Sequence, residues 1–294
     1  MLKYGVGGVV GAVVVAAGAV ELVEHGVLPG KEELDQLDGG CSVTSPALVF
    51  SKLGPSVSGR FYSSARHQRV GYTIAWPPGH REGERLPLIV MLHGYGANHT
   101  NALAAMTPAQ AVALHVDGKP LAPMAMVTVD GGGGYWNPHP GDDPMAMVVD
   151  ELIPMCQGRG LGRPPQRIAT MGISMGGYGA LLFAERHPDL FAAVAAISPA
   201  IWTSYDQARA ANPGAYASAA DFERDDAVTH ARALRGLPVR VASGTDDPFH
   251  PGVEALAAAL PAGSVHFSNG CHTGPFFVAE EFPSLGFLAA HLST

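Results

Sequence analysis

The sequence is poor in charged residues, which make up 15% of its 294 residues against 47% hydrophobic ones. A chain with so many hydrophobic residues is expected to fold around a sizeable core. This composition excludes an intrinsically disordered protein. The formal net charge is −8, and lysine and arginine form no cluster in the sequence. This absence argues against nucleic acid as a partner.

Cysteine is also scarce: Cys41, Cys156 and Cys271 are the three in the chain. They show neither a Cys-x-x-Cys pair nor the spacing of zinc ligands, so a structural zinc site is not expected. Because the number is odd, at least one thiol stays unpaired within a monomer. The sequence allows one disulfide without choosing its partners, or three buried thiols, since cysteine is among the most buried residue types.

An apolar run long enough for an ordinary membrane-spanning helix is missing, although the N-terminus comes close. Residues 5–20 carry no charge, and the run lies between Lys3 and Glu21. As a helix this run would measure about 24 Å, whereas a permanent anchor usually needs about 20 apolar residues. A basic start, a short apolar core and the small residues 17–19 are typical of a signal peptide. We therefore predict a signal peptide or membrane anchor over residues 1–22, and an exported protein that is secreted or held at the cell envelope.

The rest of the chain divides into a polar linker over residues 23–54 and one globular domain over residues 55–294. In this domain short apolar runs alternate with helical segments of roughly 10–15 residues, the pattern of βαβ units. The predicted strands are 57–63, 69–76, 86–92, 122–129, 167–173, 191–197, 239–243 and 264–267. The predicted helices are 108–116, 144–156 with Asp143 as its N-cap, 175–186, 251–260 and 282–291. The pattern predicts an α/β fold with a doubly wound, mostly parallel sheet covered on both faces.

Ser174 lies in a G-x-S-x-G motif, between a predicted strand and an Ala/Leu-rich predicted helix. In the α/β-hydrolase fold this strand-to-helix turn exposes a nucleophilic serine at the carboxyl edge of the sheet. Side chains at Gly172 and Gly176 would collide with the neighbouring strand and helix. We therefore predict Ser174 as the nucleophile of a serine hydrolase.

A serine nucleophile needs a base, and the base needs a carboxylate that orients it. In this fold the chain order is Ser, acid, His. His272 follows the last predicted strand and is the predicted base, with His250 as its competitor. Asp247 follows the strand at 239–243 and is the predicted acid, with Asp246 as the alternative.

The remaining site predictions concern the loops around the serine. The backbone N–H groups of Tyr95 and Met175 are the predicted oxyanion-hole donors. His93 is expected to pack under its loop in a structural role. Trp136 follows the glycines at 131–134 and is predicted to bind substrate in an acyl or alcohol pocket, or else to pack the loop at the rim. The polar insertion at 201–226 is too short for a full lid and is expected to shape one wall.

Together these residues resemble the putative esterase family that includes esterase D and the mycobacterial mycolyltransferases. The segments that carry the resemblance are LPLIVMLHGYG at 86–96, GISMGGYGAL at 172–181, GTDDPF at 244–249 and GCHTGPFF at 270–277. The resemblance implies an α/β-hydrolase fold over residues 55–294, a triad of Ser174, Asp247 and His272, and hydrolysis or transfer of acyl esters. The mycolyltransferases are less similar, because their acid is a glutamate and their carbohydrate-binding residues have no match here.

The leading hypothesis is an exported serine carboxylesterase that acts on a small-molecule or lipid ester, with membrane attachment through the N-terminal segment if that segment is retained. An acyltransferase acting on cell-envelope acceptors and a catalytically silent envelope protein of the same fold are the alternatives. The chemistry needs only the triad and backbone donors, so neither a metal nor an organic cofactor is expected.

Overall fold

The computed structural model describes residues 41–43, 54–102, 115–116 and 119–292. The predicted export segment at 1–22 lies outside these residues, as does most of the predicted linker. Most of the helix predicted at 108–116 also lies outside them.

A mixed sheet of eight strands forms the centre of the molecule, in the order β1-β2-β6-β3-β7-β8-β9-β10. Its strands are β1 (Ser56–Ser63), β2 (Gln68–Ala75), β3 (Leu88–Leu92), β6 (Ala125–Val129), β7 (Ile168–Ile173), β8 (Val194–Ile197), β9 (Val239–Gly244) and β10 (Val265–Ser268). A separate pair is formed by β4 (His115–Val116) and β5 (Lys119–Pro120). The hairpin β1–β2 and the pair β2–β6 are antiparallel, and the other neighbours in the sheet are parallel. This confirms the predicted mostly parallel sheet.

The central strands are buried because helices cover both faces of the sheet. Every residue of β3, β6 and β8 is buried, as expected for uninterrupted apolar runs in a parallel sheet. The helices are α1 (Pro144–Ala146), α2 (Ile153–Gly158), α3 (Met175–Arg186), α4 (Tyr205–Ala211), α5 (Ala219–Arg224), α6 (Ala227–His230), α7 (His250–Ala259) and α8 (Gly274–Leu292). One core cluster packs beneath α3 and α7, and a second packs beneath α8 on the opposite face.

Helix α1 begins as predicted, with Asp143 as its N-cap. The Asp143 carboxylate accepts a hydrogen bond from the backbone N–H of Ala146 at 2.8 Å. We expected the chain to continue as one helix, kinked at Pro154. The chain does stay helical from Pro144 to Gly158, but Met147–Leu152 between α1 and α2 is π-helical rather than α-helical. Pro154 directly follows this segment and Ile153, and it has no N–H to donate to the helical turn before it.

Two other helix predictions need correction. His115 and Val116, predicted to end a helix, form β4 instead. Helix α8 begins at Gly274 rather than at residue 282, and Pro283 lies inside it. The longer helix matters for the site, because α8 begins two residues after His272.

The pairing of cysteines, which the sequence left open, is a disulfide between Cys41 and Cys271, with Cys156 as a buried free thiol. It joins the segment at 41–43 to the loop between β10 and α8. Among the described residues, no helix combines the length and apolarity required to cross a membrane.

Candidate active site

Ser174 lies on a sharp turn between β7 and α3, at the carboxyl edge of the sheet. Its φ of 57° and ψ of −122° are strained for a residue with a side chain. A Cβ placed on Gly172 would lie 2.1 Å from the Gly176 carbonyl oxygen, and one on Gly176 would lie 2.0 Å from the Leu92 carbonyl oxygen. The backbones are therefore packed too closely for side chains at these positions, as the motif predicts.

The structure brings Ser174, His272 and Asp247 into one hydrogen-bond chain. His272 Nε2 lies 2.8 Å from Ser174 Oγ, and His272 Nδ1 lies 2.9 Å from Asp247 Oδ2. With a neutral imidazole, Nδ1–H donates to the carboxylate and Nε2 accepts from the serine hydroxyl. This is the tautomer that a base for the serine proton requires.

Asp247 is held rigidly in a buried position. Its side chain is fully shielded from solvent, and its second oxygen, Oδ1, accepts a hydrogen bond from the Phe249 N–H at 2.8 Å. Both carboxylate oxygens therefore have a donor, which limits the cost of burying the charge.

The open alternatives for the acid and the base have other partners. Asp246 is partly exposed, and its carboxylate accepts from the Thr245 hydroxyl. His250 lies against the Gly244 carbonyl and Glu254 at the start of α7. The observed chain of hydrogen bonds therefore contains Asp247 and His272 rather than these two neighbours.

Two aromatic rings that sequence reasoning missed hold the His272 imidazole edge-on. The Phe249 and Phe277 ring centroids lie 5.1 and 5.0 Å from that of His272. Both phenylalanines lie within the sequence segments that carry the family resemblance, close to Asp247 and His272 in the chain. Their position in the chain was the available signal.

The loop after β3 approaches Ser174 from the other side. A Cβ placed on Gly94 would lie 3.6 Å from Ser174 Cβ, so the Gly94–Tyr95 peptide lies beside Ser174. Met175 is the first residue of α3, where N–H groups have no acceptor in a preceding turn. Tyr95 and Met175 are thus suitably placed for the predicted oxyanion hole, and their role as donors stays a prediction.

His93 is buried beneath this loop, as expected for a structural residue. Its Nε2 accepts a hydrogen bond from the Gly131 N–H at 2.9 Å, which places the ring proton on Nδ1, 2.8 Å from the Gly94 carbonyl. Burial lowers the pKa of His93, which favours this neutral form. The imidazole therefore fastens the loop after β3 to the glycine-rich loop after β6.

The prediction that Trp136 lines a substrate pocket is wrong, because the indole is fully buried. Its Nε1–H donates to the His93 carbonyl at 3.2 Å, and its ring meets Phe183 edge-on. A Cβ on Gly131 or Gly179 would lie within 2.7 Å of the indole, so these glycines make room for it. Trp136 supports the loop from within, and the sequence could not tell this from a position in a pocket.

The insertion at 201–226 also braces the site. Asn212 donates from Nδ2 to the Gly133 carbonyl at 2.9 Å. Trp202 donates to the Tyr135 hydroxyl and packs edge-on against Phe249, the ring beside His272. The insertion thus supports the walls of the site through its aromatic and amide side chains.

An open cavity of about 440 Å³ lies beside Ser174 and His272. It runs between the loop after β3 and the first turn of α8, on the α8 side of the sheet. Its lining is mainly apolar and includes Met91, Leu92, Ala97, Ala102, Ile173 and Phe277. An apolar cavity that opens onto a serine–histidine pair is suited to the apolar part of a small ligand.

Comparisons with known proteins identify the family and the fold. The sequence profile described as "Putative esterase" matches residues 63–271, which is more than half of the chain. A search of curated proteins finds no match.

Solved structures with the same fold are numerous. A ferulic acid esterase superposes with a TM-score of 0.64 at 20% identity, covering 82% of this chain and 99% of that chain. An S-formylglutathione hydrolase from Agrobacterium tumefaciens superposes with a TM-score of 0.64 at 18% identity, covering 85% and 99%. The feruloyl esterase module from Clostridium thermocellum, complexed with sinapinate, gives 0.60 at 17% identity, covering 85% and 97%. The chain therefore has the α/β-hydrolase fold of these enzymes and belongs to the putative esterase family.

Proposed function

We propose that the protein is a serine carboxylesterase that hydrolyses small-molecule or lipid acyl esters through an acyl-enzyme on Ser174. The observation that carries this proposal is the hydrogen-bond chain from Ser174 through His272 to the buried Asp247. Family membership supports the reaction class. The proposed catalytic residues are those three, with Tyr95 and Met175 as backbone donors.

In the proposed reaction, His272 accepts and then returns each proton that is transferred. His272 Nε2 takes the hydroxyl proton as Ser174 Oγ attacks the ester carbonyl carbon, and Asp247 stabilises the imidazolium that forms. The N–H groups of Tyr95 and Met175 stabilise the negative charge on the carbonyl oxygen. The bond to the alcohol then breaks, and the alcohol leaves with the proton from His272. Water attacks the Ser174 ester by the same route and releases the acid.

The cavity lined by Ile173 and Phe277 is the proposed site for the acyl group. It opens onto both Ser174 and His272, and its walls offer mainly apolar contacts. Burying a methylene group is worth about 0.8 kcal/mol, so esters with a short aliphatic acyl chain should be preferred over acetate.

We also propose that the protein is exported, and is secreted or attached at the cell envelope or membrane. The run at 5–20 supports this, and so does the Cys41–Cys271 disulfide, because disulfides persist mainly in oxidising compartments.

The direct test compares Ser174→Ala with wild type on p-nitrophenyl acetate and butyrate. Loss of hydrolysis in Ser174→Ala is expected, because the nucleophile is removed. Ser56→Ala, an exposed serine at the start of β1, is the matched control and should keep full activity. Hydrolysis that survives Ser174→Ala contradicts the proposal.

The same assay separates the two alternatives. With an added alcohol acceptor, products formed only with water argue against an acyltransferase. A wild-type protein that neither hydrolyses esters nor reacts with a fluorophosphonate probe would be the catalytically silent form.

A further inference from the structure

The Cys41–Cys271 disulfide lies directly beside the proposed base, because Cys271 precedes His272 in the chain. Cys271 is fully buried and Cys41 is nearly so. The bond joins positions that are 230 residues apart in sequence. It fastens the loop between β10 and α8 to a segment that precedes the sheet.

The loop is held on its other side by the acid loop after β9. The Asp246 N–H donates to the Gly270 carbonyl at 3.0 Å. A Cβ on Gly244, the last residue of β9, would lie 2.0 Å from the same oxygen. These contacts fix the start of the loop relative to β9 and the loop that carries Asp247.

The segment around Cys41 adds a second contact of its own. A Cβ placed on Gly270 would lie 3.0 Å from a Val43 methyl group, and Val43 packs against the core cluster beneath α8. The loop is therefore clamped between the acid loop and the segment at 41–43, and the disulfide is the covalent part of that clamp.

His272 depends on this clamp because its ring must meet two partners at once. Its Nδ1 and Nε2 lie within 2.9 Å of Asp247 and Ser174, on opposite sides of the imidazole. A small shift of the loop lengthens at least one of these hydrogen bonds, and misplacing a catalytic group by about 1 Å can cost about 100-fold in rate.

We infer that the Cys41–Cys271 disulfide is a positioning element of the active site, which keeps His272 between Ser174 and Asp247. This inference rests on the proposed esterase function. A dithiol reductant cleaves the bond, taking the disulfide form itself and leaving two thiols on the protein. The protein is then folded but slow, so full activity requires an oxidising compartment.

The test measures p-nitrophenyl butyrate hydrolysis by the full-length protein before and after reduction with dithiothreitol. Thiol titration shows that the disulfide has been cleaved, and intrinsic tryptophan fluorescence gives the folded fraction, so that kcat is expressed per folded, reduced molecule. We expect kcat to fall at least about tenfold while KM changes less than about twofold, because the base rather than the binding cavity is displaced. Reoxidation should restore kcat.

Two variants sharpen the test. The double variant Cys41→Ala/Cys271→Ala should have the low kcat of the reduced protein and no response to reductant. Cys156→Ala, which removes the buried free thiol, should respond to reductant as wild type does.

The outcomes separate this inference from the proposed function. Unchanged kcat per folded molecule after reduction would overturn the positioning role, even if the melting temperature falls, because the disulfide would then only stabilise the fold. An oxidised wild-type protein without esterase activity would instead overturn the proposed function.

Discussion

Ser174 and His272 reach hydrogen-bond distance of each other by different routes. Ser174 is placed by its immediate neighbours, because β7 ends one residue before it and α3 begins one residue after it. His272 lies in a loop between β10 and α8 that is held by distant residues, Asp247 through a hydrogen bond and Cys41 through a disulfide.

The comparison indicates how sensitive each group should be to remote changes. Close backbone packing fixes the turn that carries Ser174, so few substitutions can move this side chain without damaging the fold. The position of His272 depends on a small number of identifiable contacts. Substitution of those contacts should lower the rate while the protein remains folded.

After the loss of hydrolysis expected for Ser174→Ala, the largest effect on rate is expected from Asp247→Asn. An amide at this position donates toward Nδ1 and favours the wrong tautomer of His272, so kcat should fall on the order of 10⁴-fold. Asp246→Asn, at the neighbouring partly exposed carboxylate, is the control and should change kcat little. The measurement is steady-state hydrolysis of p-nitrophenyl butyrate by both variants, and equal activity of the two would contradict the assignment.

The turn itself can be broken with Gly176→Ala. The added Cβ would lie 2.0 Å from the Leu92 carbonyl oxygen, a backbone atom that cannot move without displacing β3. We expect a loss of about 3 kcal/mol or more in the free energy of unfolding, measured by urea denaturation. Gly158→Ala, at the end of α2 with no atom within 4 Å of the added Cβ, should not destabilise the protein. A Gly176→Ala protein as stable as wild type would show that the turn is less tightly packed than we describe.

The cavity beside the two groups predicts a graded effect of acyl length. From p-nitrophenyl acetate to butyrate, kcat/KM should rise by up to about fourfold per methylene, which corresponds to about 0.8 kcal/mol. Ala97→Leu narrows the cavity and should flatten this rise while acetate is still hydrolysed. A variant with an unchanged chain-length profile would place the acyl group elsewhere.

The smallest expected effect concerns the helices behind the two groups, each of which carries a buried carboxyl. Burial raises the pKa of Glu185 in α3 to about 9 and that of Glu281 in α8 to about 8. The unfolded chain releases these protons near pH 4.5, whereas the folded protein retains them until higher pH. Stability from these groups is therefore lost progressively as the pH rises from about 4.5 through the folded pKa of each group, about 8 for Glu281 and about 9 for Glu185.

Melting temperatures between pH 5 and pH 9 check this expectation. Between pH 5 and pH 9 the melting temperature of the double variant Glu185→Gln/Glu281→Gln should fall less than that of wild type, by a difference of about 2 °C or more. Glu254→Gln, at an exposed carboxylate in α7, should keep the wild-type profile. Parallel profiles for all three proteins would mean that neither carboxyl stays protonated in the fold.

The same contrast between local and remote contacts explains how much the sequence revealed. The strand–Ser174–helix turn was predictable because its glycines and apolar runs are adjacent in the chain. The order and spacing of Asp247 and His272 also indicated the residues that the structure brings into hydrogen-bond contact with each other and with Ser174. The partner of Cys271 was not predictable, since Cys41 lies 230 residues away and nothing local distinguishes it from Cys156.

The misplaced predictions have a physical cause as well. Trp136 follows a glycine-rich loop, which is compatible with a pocket or with burial, and the choice depends on the distant Gly179 leaving room for the indole. Helix α8 begins eight residues before the prediction, at Gly274 rather than residue 282. Pro283 lies inside this helix, whereas proline is common at a helix start and rare in a helix interior. The sequence therefore predicted a helix that starts next to Pro283.

The most direct test of the central claim is to locate the adduct of a fluorophosphonate probe by peptide mass mapping of the oxidised full-length protein. The hydrogen-bond chain predicts a single modification on Ser174, together with no labelling of Ser174→Ala and slow labelling of Asp247→Asn. A probe adduct on another serine, or labelling of wild type no faster than that of Asp247→Asn, would contradict an active nucleophile at Ser174.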